Sequence, residues 1–180
     1  ILGPDSRVKV DGLPLTKSNL KAIRHKVGFV FHDPRDQLFM SKVMEDVSFG
    51  PLNMGLPREA ALEKAHQSLD KVGLHGFGER ISYHLSGGEM RRAAIATVLA
   101  MSPEIIVMDE PSAGLDPRAK RELITVLQNL DCTKIFASHD LDFICKCAKR
   151  VILLNKGKIA ADGPCGEIIE NTELLLKHGL

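Results

Sequence analysis

Ile105-Ile106-Val107-Met108-Asp109-Glu110-Pro111 is an apolar run that stops at two adjacent carboxylates and a proline. Its apolar residues, three of them β-branched, suit a buried strand, and a proline directly after them forbids continuation of a central strand. In an α/β protein such a strand delivers its last side chains to the carboxyl edge of the sheet, where ligands bind. Asp109 is placed there to hold Mg²⁺, directly or through water, and Glu110 to polarise an attacking water. Taken alone the pattern is modest, because strands often end in acids where the following turn is solvated.

Downstream, Ser112-Ala113-Gly114-Leu115-Asp116 reads as a turn, and Asp116-Pro117 supplies an N-cap and an N1 proline. The helix they open carries Leu123, Val126, Leu127 and Leu130 at helical spacing. Ile135 to Ser138 is a second strand, followed by His139 and by Asp140, which caps a helix to about Ala148. A histidine at a strand's carboxyl end can donate to a phosphate or orient water, although a single one is more often structural. Val151 to Leu154 is a further strand, Lys156-Gly157 turns the chain back into Lys158 to Ala161, and a short helical tail follows.

Upstream, Leu85-Ser86-Gly87-Gly88-Glu89 has the S-x-x-E spacing of a capping box, so a helix runs from there to about Met101. The two glycines let backbone approach a ligand, and free N–H groups at a helix start attract phosphate; a plain capped junction would also use these residues. Pro57 suits a first helical turn, with Leu62, Ala65, Leu69 and Val72 leading to Gly73 as C-cap. Val27 to Phe31 is a strand that opens into the loop Phe31 to Gln37, Ser18 caps a short helix through His25, and Val8 to Val10 ends at the Asp11-Gly12 turn. Strands alternating with helices imply a parallel sheet with crossover helices. The helical stretch from about Ser41 to Gly78 reads as a subdomain inserted into that α/β core.

The chain of 180 residues suits one domain, and a formal net charge of +1 argues against a nucleic-acid binder or an acidic-substrate enzyme. Cys132, Cys145, Cys147 and Cys165 form no C-x-x-C pair and read as free thiols of a reducing cytosol. The longest apolar runs, Ala93 to Met101 and Val151 to Leu154, fall short of a membrane span. Ile1-Leu2-Gly3-Pro4 has neither an initiator Met nor the basic and apolar pattern of a secretory signal.

Individually these features are weak; their order is not. "LSGGEMRRAAIATVLA", then "IIVMDEPSAGLD", then "ASHD" resembles the second half of an ABC-transporter nucleotide-binding domain, as signature, Walker B strand, D-loop and switch histidine. "VKVDGLPL" looks like the strand and turn after the P-loop helix of that family. "VGFVFHDPRDQLF" and "EDVSFGPLNMGL" look like the Q-loop and helical lobe of the branch that contains cobalt and nickel importers and energy-coupling-factor (ECF) vitamin transporters, and "LNKGKIAADGP" and "LLKHGL" are similar to the same branch.

The resemblance implies a P-loop-NTPase-like α/β fold with a helical subdomain over about 41–100 that includes the signature helix. It implies ATP and Mg²⁺ as ligands, with Asp109 at the metal, Glu110 as general base and His139 near the γ-phosphate. Ser86, Gly87, Gly88 and Glu89 would meet ATP held by a second ATPase subunit, and Asp116 would link the two sites. His32 stands where the family usually has Gln, so the resemblance implies either altered coupling at that position or a tolerated substitution. A transmembrane subunit is the implied partner, at the cytoplasmic face of the membrane. A non-catalytic partner that lends its signature, and a soluble ABC ATPase, are the alternatives; no coiled-coil insertion or second fused domain supports the latter.

One element of the family is not found in these residues. No G-x-x-x-x-G-K-[ST] occurs; Gly157-Lys158 is followed by Ile159 and has Ile152 where the first glycine belongs. The family's P-loop precedes the segment that opens this chain, so the expectation is an N-terminally incomplete piece rather than a truncated gene, unable to hydrolyse ATP alone.

Overall fold

The computed structural model describes residues 8–180. The reading of Ile1 to Pro4 lies outside these residues, and Val8 is described but does not join the first strand. That strand, β1 (Lys9–Val10), pairs antiparallel with β2 (Leu13–Pro14). Then follow α1 (Leu20–Lys26), β3 (Val27–Val30), α2 (Val43–Asn53), α3 (Arg58–Lys71), α4 (Gly87–Leu99), β4 (Ile105–Asp109), α5 (Pro117–Gln128), β5 (Thr133–Ala137), α6 (Leu141–Cys147), β6 (Arg150–Asn155), β7 (Lys158–Pro164), α7 (Cys165–Ile169) and α8 (Thr172–Lys177).

β3, β4 and β5 form a parallel sheet in that order, with Val30 beside Met108 and Asp109 beside Ala137. β6 stands outside this sheet and pairs antiparallel with β7. Lys156 and Gly157 between them have φ of 48° and 74°, the left-handed pair that a tight hairpin turn requires. The Gly157-Lys158 dipeptide is therefore a hairpin corner, with no following helix to make a phosphate loop.

Several local expectations shift by a residue or two. Asn19, not Ser18, stands at the N-cap of α1; the Ser18 hydroxyl is engaged with Thr16 Oγ1 at 2.9 Å. Pro57 is the N-cap of α3 rather than a member of its first turn, and Gly73 follows the C-cap Val72 with φ +70°. α4 stops at Leu99, two residues early, where Ser102 enters the left-handed region at φ 53°.

The core lies on one face of the sheet. Val30, Ile106 and Met108 point into it and meet α4, whose Ala93, Ala94, Ile95 and Ala96 are fully buried. Gly28 is required by this approach, since a Cβ there would overlap Val98 Cγ1. α2 and α3 pack on each other and on α4, so α4 bridges the sheet and the helices inserted between β3 and β4. The opposite sheet face leaves Phe29 (47%) and Ile135 (54%) exposed among the described residues. No helix among the described residues is long and apolar enough to cross a membrane.

Candidate active site

Parallel register carries three loops to one edge of the sheet. Because Val30 pairs with Met108 and Asp109 with Ala137, the residues that leave β3, β4 and β5 emerge side by side. These are His32, then Asp109 and Glu110, then Ser138 and His139, so the structure brings together the carboxylates and the histidine that lie far apart in the chain.

Glu110 is held from two directions. His139 Nδ1 lies 2.8 Å from its Oε1, and Ser138 Oγ donates to its Oε2 at 3.3 Å. Its backbone N–H donates to the Ala137 carbonyl at 2.9 Å, and its φ is +44°. A non-glycine residue in that region costs about 1–3 kcal/mol and persists where the surroundings over-determine it, a situation concentrated at functional sites. His139 has its pKa raised above the usual imidazole value, first by the hydrogen bond to Glu110 and then by that carboxylate's charge. A carboxylate can only accept, so Nδ1 carries the proton in this contact.

A second group forms at the helix starts. Ser86 Oγ accepts from the Glu89 N–H at 3.3 Å, and Glu89 Oε2 accepts from the Ser86 N–H at 2.7 Å, the reciprocal box expected from the spacing. The bond from the Ser86 backbone holds the Glu89 carboxyl below its ordinary range. Asp116 caps α5 by accepting from Ala119 and Arg118 at 2.9 and 2.8 Å, and these two bonds lower its pKa. Ser86, Gly88, Glu89 and Asp116 line one open groove of about 690 Å³ together with Arg92 and Arg118. Glu110 and His139 do not line it.

The two glycines at the start of α4 have different structural duties. A Cβ on Gly88 would sit 2.6 Å from Ala119 Cβ, whereas one on Gly87 meets nothing within 4 Å. Gly88 is thus demanded by the close approach of α4 to α5, and Gly87 remains open to a ligand. Gly88→Ala is expected to cost about 1–3 kcal/mol by overpacking, while Gly87→Ala leaves the urea midpoint near wild type. Equal midpoints for the two variants would refute this distinction.

Two residues beyond the sequence expectations organise the loop after β3. Arg91 is buried at 4% exposure and donates from Nη1 to the Phe31 carbonyl at 3.0 Å. Burial is the largest influence on it and lowers its pKa, opposed by the charges of Asp33 and Asp109. Gln37 Nε2 donates to the Ala94 carbonyl at 2.8 Å and to Thr97 Oγ1 at 2.7 Å, while its Oε1 accepts from the Phe31 N–H at 3.1 Å. Together they clamp the His32 loop to α4, and His32 itself stays exposed. The available signal for Arg91 was a charge on the apolar face of an otherwise alanine-rich helix.

Mg²⁺ bound with a nucleotide takes one or two carboxylates and fills its shell with phosphate oxygens and waters. Asp109, exposed at the strand end, fits that demand. No cluster of three or more His, Cys, Asp or Glu able to hold a metal without such help exists among the described residues.

The ABC transporter family matches residues 3–113 of the chain. An ABC transporter ATP-binding protein of Geobacter sulfurreducens is 48% identical over 93% of this chain and 68% of its own length. The energy-coupling factor transporter ATP-binding protein EcfA of Methanothermobacter thermautotrophicus is 46% identical over 96% of this chain, which spans 57% of that relative. Among solved structures, cbiO1 from Clostridium perfringens, part of the ABC transporter complex cbiONQ, superposes with a TM-score of 0.85 and 34% identity, covering 98% of this chain and 73% of its own. The ATP-binding cassette MJ0796, a dimer bound to ADP and Pi, gives 0.78 and 26%, covering 92% and 75%. With its parallel sheet, its carboxyl-edge acids and its capped LSGGE helix, the chain belongs to the ATP-binding proteins of ABC transporters, close to EcfA and cbiO1.

Proposed function

We propose that this chain carries the water-activating and signature parts of an ATPase subunit that energises import of cobalt or nickel ions or of a vitamin. The observation that carries the reading is the Glu110–His139 pair at 2.8 Å, at the sheet edge beside Asp109. Glu110 accepts a proton from the attacking water, and His139, protonated at Nδ1, keeps that carboxylate oriented. Asp109 holds Mg²⁺, which when bound with ATP neutralises phosphate charge. Ser86, Gly87, Gly88 and Glu89 present the start of α4 to ATP carried by a second subunit, and Asp116 links the two sites across the interface. The groove's separation from Glu110 and His139 supports this division of labour between two subunits.

An exposed aromatic pair supports the assignment of a transmembrane partner. Phe39 and Phe49 meet edge to face at 5.0 Å, exposed at 53% and 39%, with exposed Ile81 on the strand bridge to Lys42 nearby. Exposed aromatics of this kind favour a protein interface over water. The subunit then sits peripherally at the cytoplasmic face of the membrane.

A second reading is a partner that lends only its signature, favoured by the groove that Ser86, Gly88 and Glu89 line apart from Glu110 and His139. A mixing assay tests the signature role that both readings share, and Glu110→Gln in a subunit that also carries a P-loop separates them. Alone, the chain is expected to show no ATP turnover above buffer, since the backbone cradle and lysine that hold the β- and γ-phosphates are not among its residues. Mixed with a homologue that has a P-loop but a dead signature, it restores turnover at the homologue's site. Robust turnover by the chain alone overturns the phosphate-loop argument; absence of any rescue overturns the signature role.

A further inference from the structure

Lys120 lies one turn into α5, away from the Glu110–His139 contact, yet it is the cation on which the turn carrying His139 rests. Its ammonium reaches both oxygens of Asp140, at 2.8 and 2.7 Å, and Asp142 at 3.1 Å. The Lys120 and Asp140 side chains are only 21% and 24% exposed, drier than an ordinary surface pair. Asp140 also accepts from Ser112 Oγ at 3.0 Å and from the Phe143 N–H at 3.1 Å. Burial opposes its charge most strongly, but the bonds from Lys120, Phe143 and Ser112 prevail and lower its pKa.

These contacts join three loops. Ser112 lies two residues after Glu110, and Asp140 directly after His139. The Asp140 N–H donates back to Ser138 Oγ at 3.2 Å, and that hydroxyl donates to Glu110. The residues on both sides of His139 are therefore tied down, one of them through Lys120. Among neighbouring charges, Lys146 is committed to Asp142 at 2.8 Å, and Arg121 lines a pocket with Lys120 and Asp140 without an ion pair to Asp140 among the described residues.

We propose that Lys120 is a positioning residue for the switch histidine: by neutralising Asp140 it locks the 138–140 turn against Ser112 and so aims His139 Nδ1 at Glu110. Its importance to turnover rests on the water-activating reading above; its effect on His139 does not. Without Lys120, Asp140 and Asp142 face each other as like charges at the start of α6, and Asp140 is drawn away from Ser112.

The test is the imidazole ¹⁵N spectrum of His139 in the labelled 180-residue chain, at a pH where the ring is neutral. Wild type is expected to show the Nδ1–H tautomer that the Glu110 contact demands. Lys120→Met is expected to lose that preference while backbone amides elsewhere stay unchanged, and Lys120→Arg to regain it, since a guanidinium can grip Asp140 with two bonds. A wild-type His139 signature in Lys120→Met overturns the proposal. If Lys120→Met does not fold, Lys120→Gln, which keeps a stem and a donor without charge, decides on the same criterion. An unchanged tautomer would leave the ATPase reading intact, because Glu110→Gln in a subunit that also carries a P-loop tests that independently.

Discussion

Glu110→Gln, in a subunit that also carries a P-loop, is expected to lower kcat by about 10²–10⁴-fold, the usual contribution of a positioned general base. Glutamine preserves the shape of the side chain but cannot take the proton from water. Nucleotide binding does not use this carboxylate in the proposed scheme, so KM for ATP stays near wild type. The same substitution has an electrostatic signature. Glu110 raises the His139 pKa above the ordinary imidazole value, so the charged pair favours the folded state fully below the unfolded pKa. That contribution fades as pH rises through the raised folded value. Glu110→Gln removes it, and the His139 titration falls back toward the ordinary value. Steady-state phosphate release and an NMR titration of His139 check both parts. A kcat within about tenfold of wild type would assign proton acceptance elsewhere.

Phe143→Ala is expected to destabilise the fold by about 3–5 kcal/mol, the range for removing a buried aromatic ring. Phe143 has no exposed surface and packs edge to face on Phe136 at 5.1 Å. The ring docks α6 onto the end of β5, and the Phe143 N–H is capped by Asp140. Loss of the ring therefore loosens the same turn that presents His139. Urea denaturation measures the stability, and a change below about 1 kcal/mol would show that the site collapses around the vacancy. Far-UV circular dichroism separates a weakened native state from a lost one.

Much of the site was legible because its elements are local. Ser86 and Glu89 are three residues apart and cap each other in the structure as their spacing demands. Asp116 before Pro117 likewise accepts from the N–H groups two and three residues on. β4 follows its β-branched composition to the Asp109 carboxylate. Errors arose where a side chain had a choice of partners. Ser18 looked like a cap, but its hydroxyl meets Thr16 and Asn19 takes the N-cap position. Gln37 reads in the sequence only as the end of the loop after β3, yet it anchors the His32 loop to α4 across 57 and 60 residues of sequence.

The sequence by itself determined the strand ending in Asp109 and Glu110, the capped helix starts and the order of motifs that identifies the family. Caps and periodicity are settled within about four residues along the backbone, so residue type and spacing suffice. Tertiary structure alone decided that Glu110 meets His139 across 29 positions, that Lys120 holds Asp140 across 20, and that Arg91 holds the Phe31 carbonyl across 60. Those meetings depend on sheet order and register, which arise when α4 packs over β3 and β5 pairs beside β4. No local rule specifies that packing; the apolar burial of distant segments does.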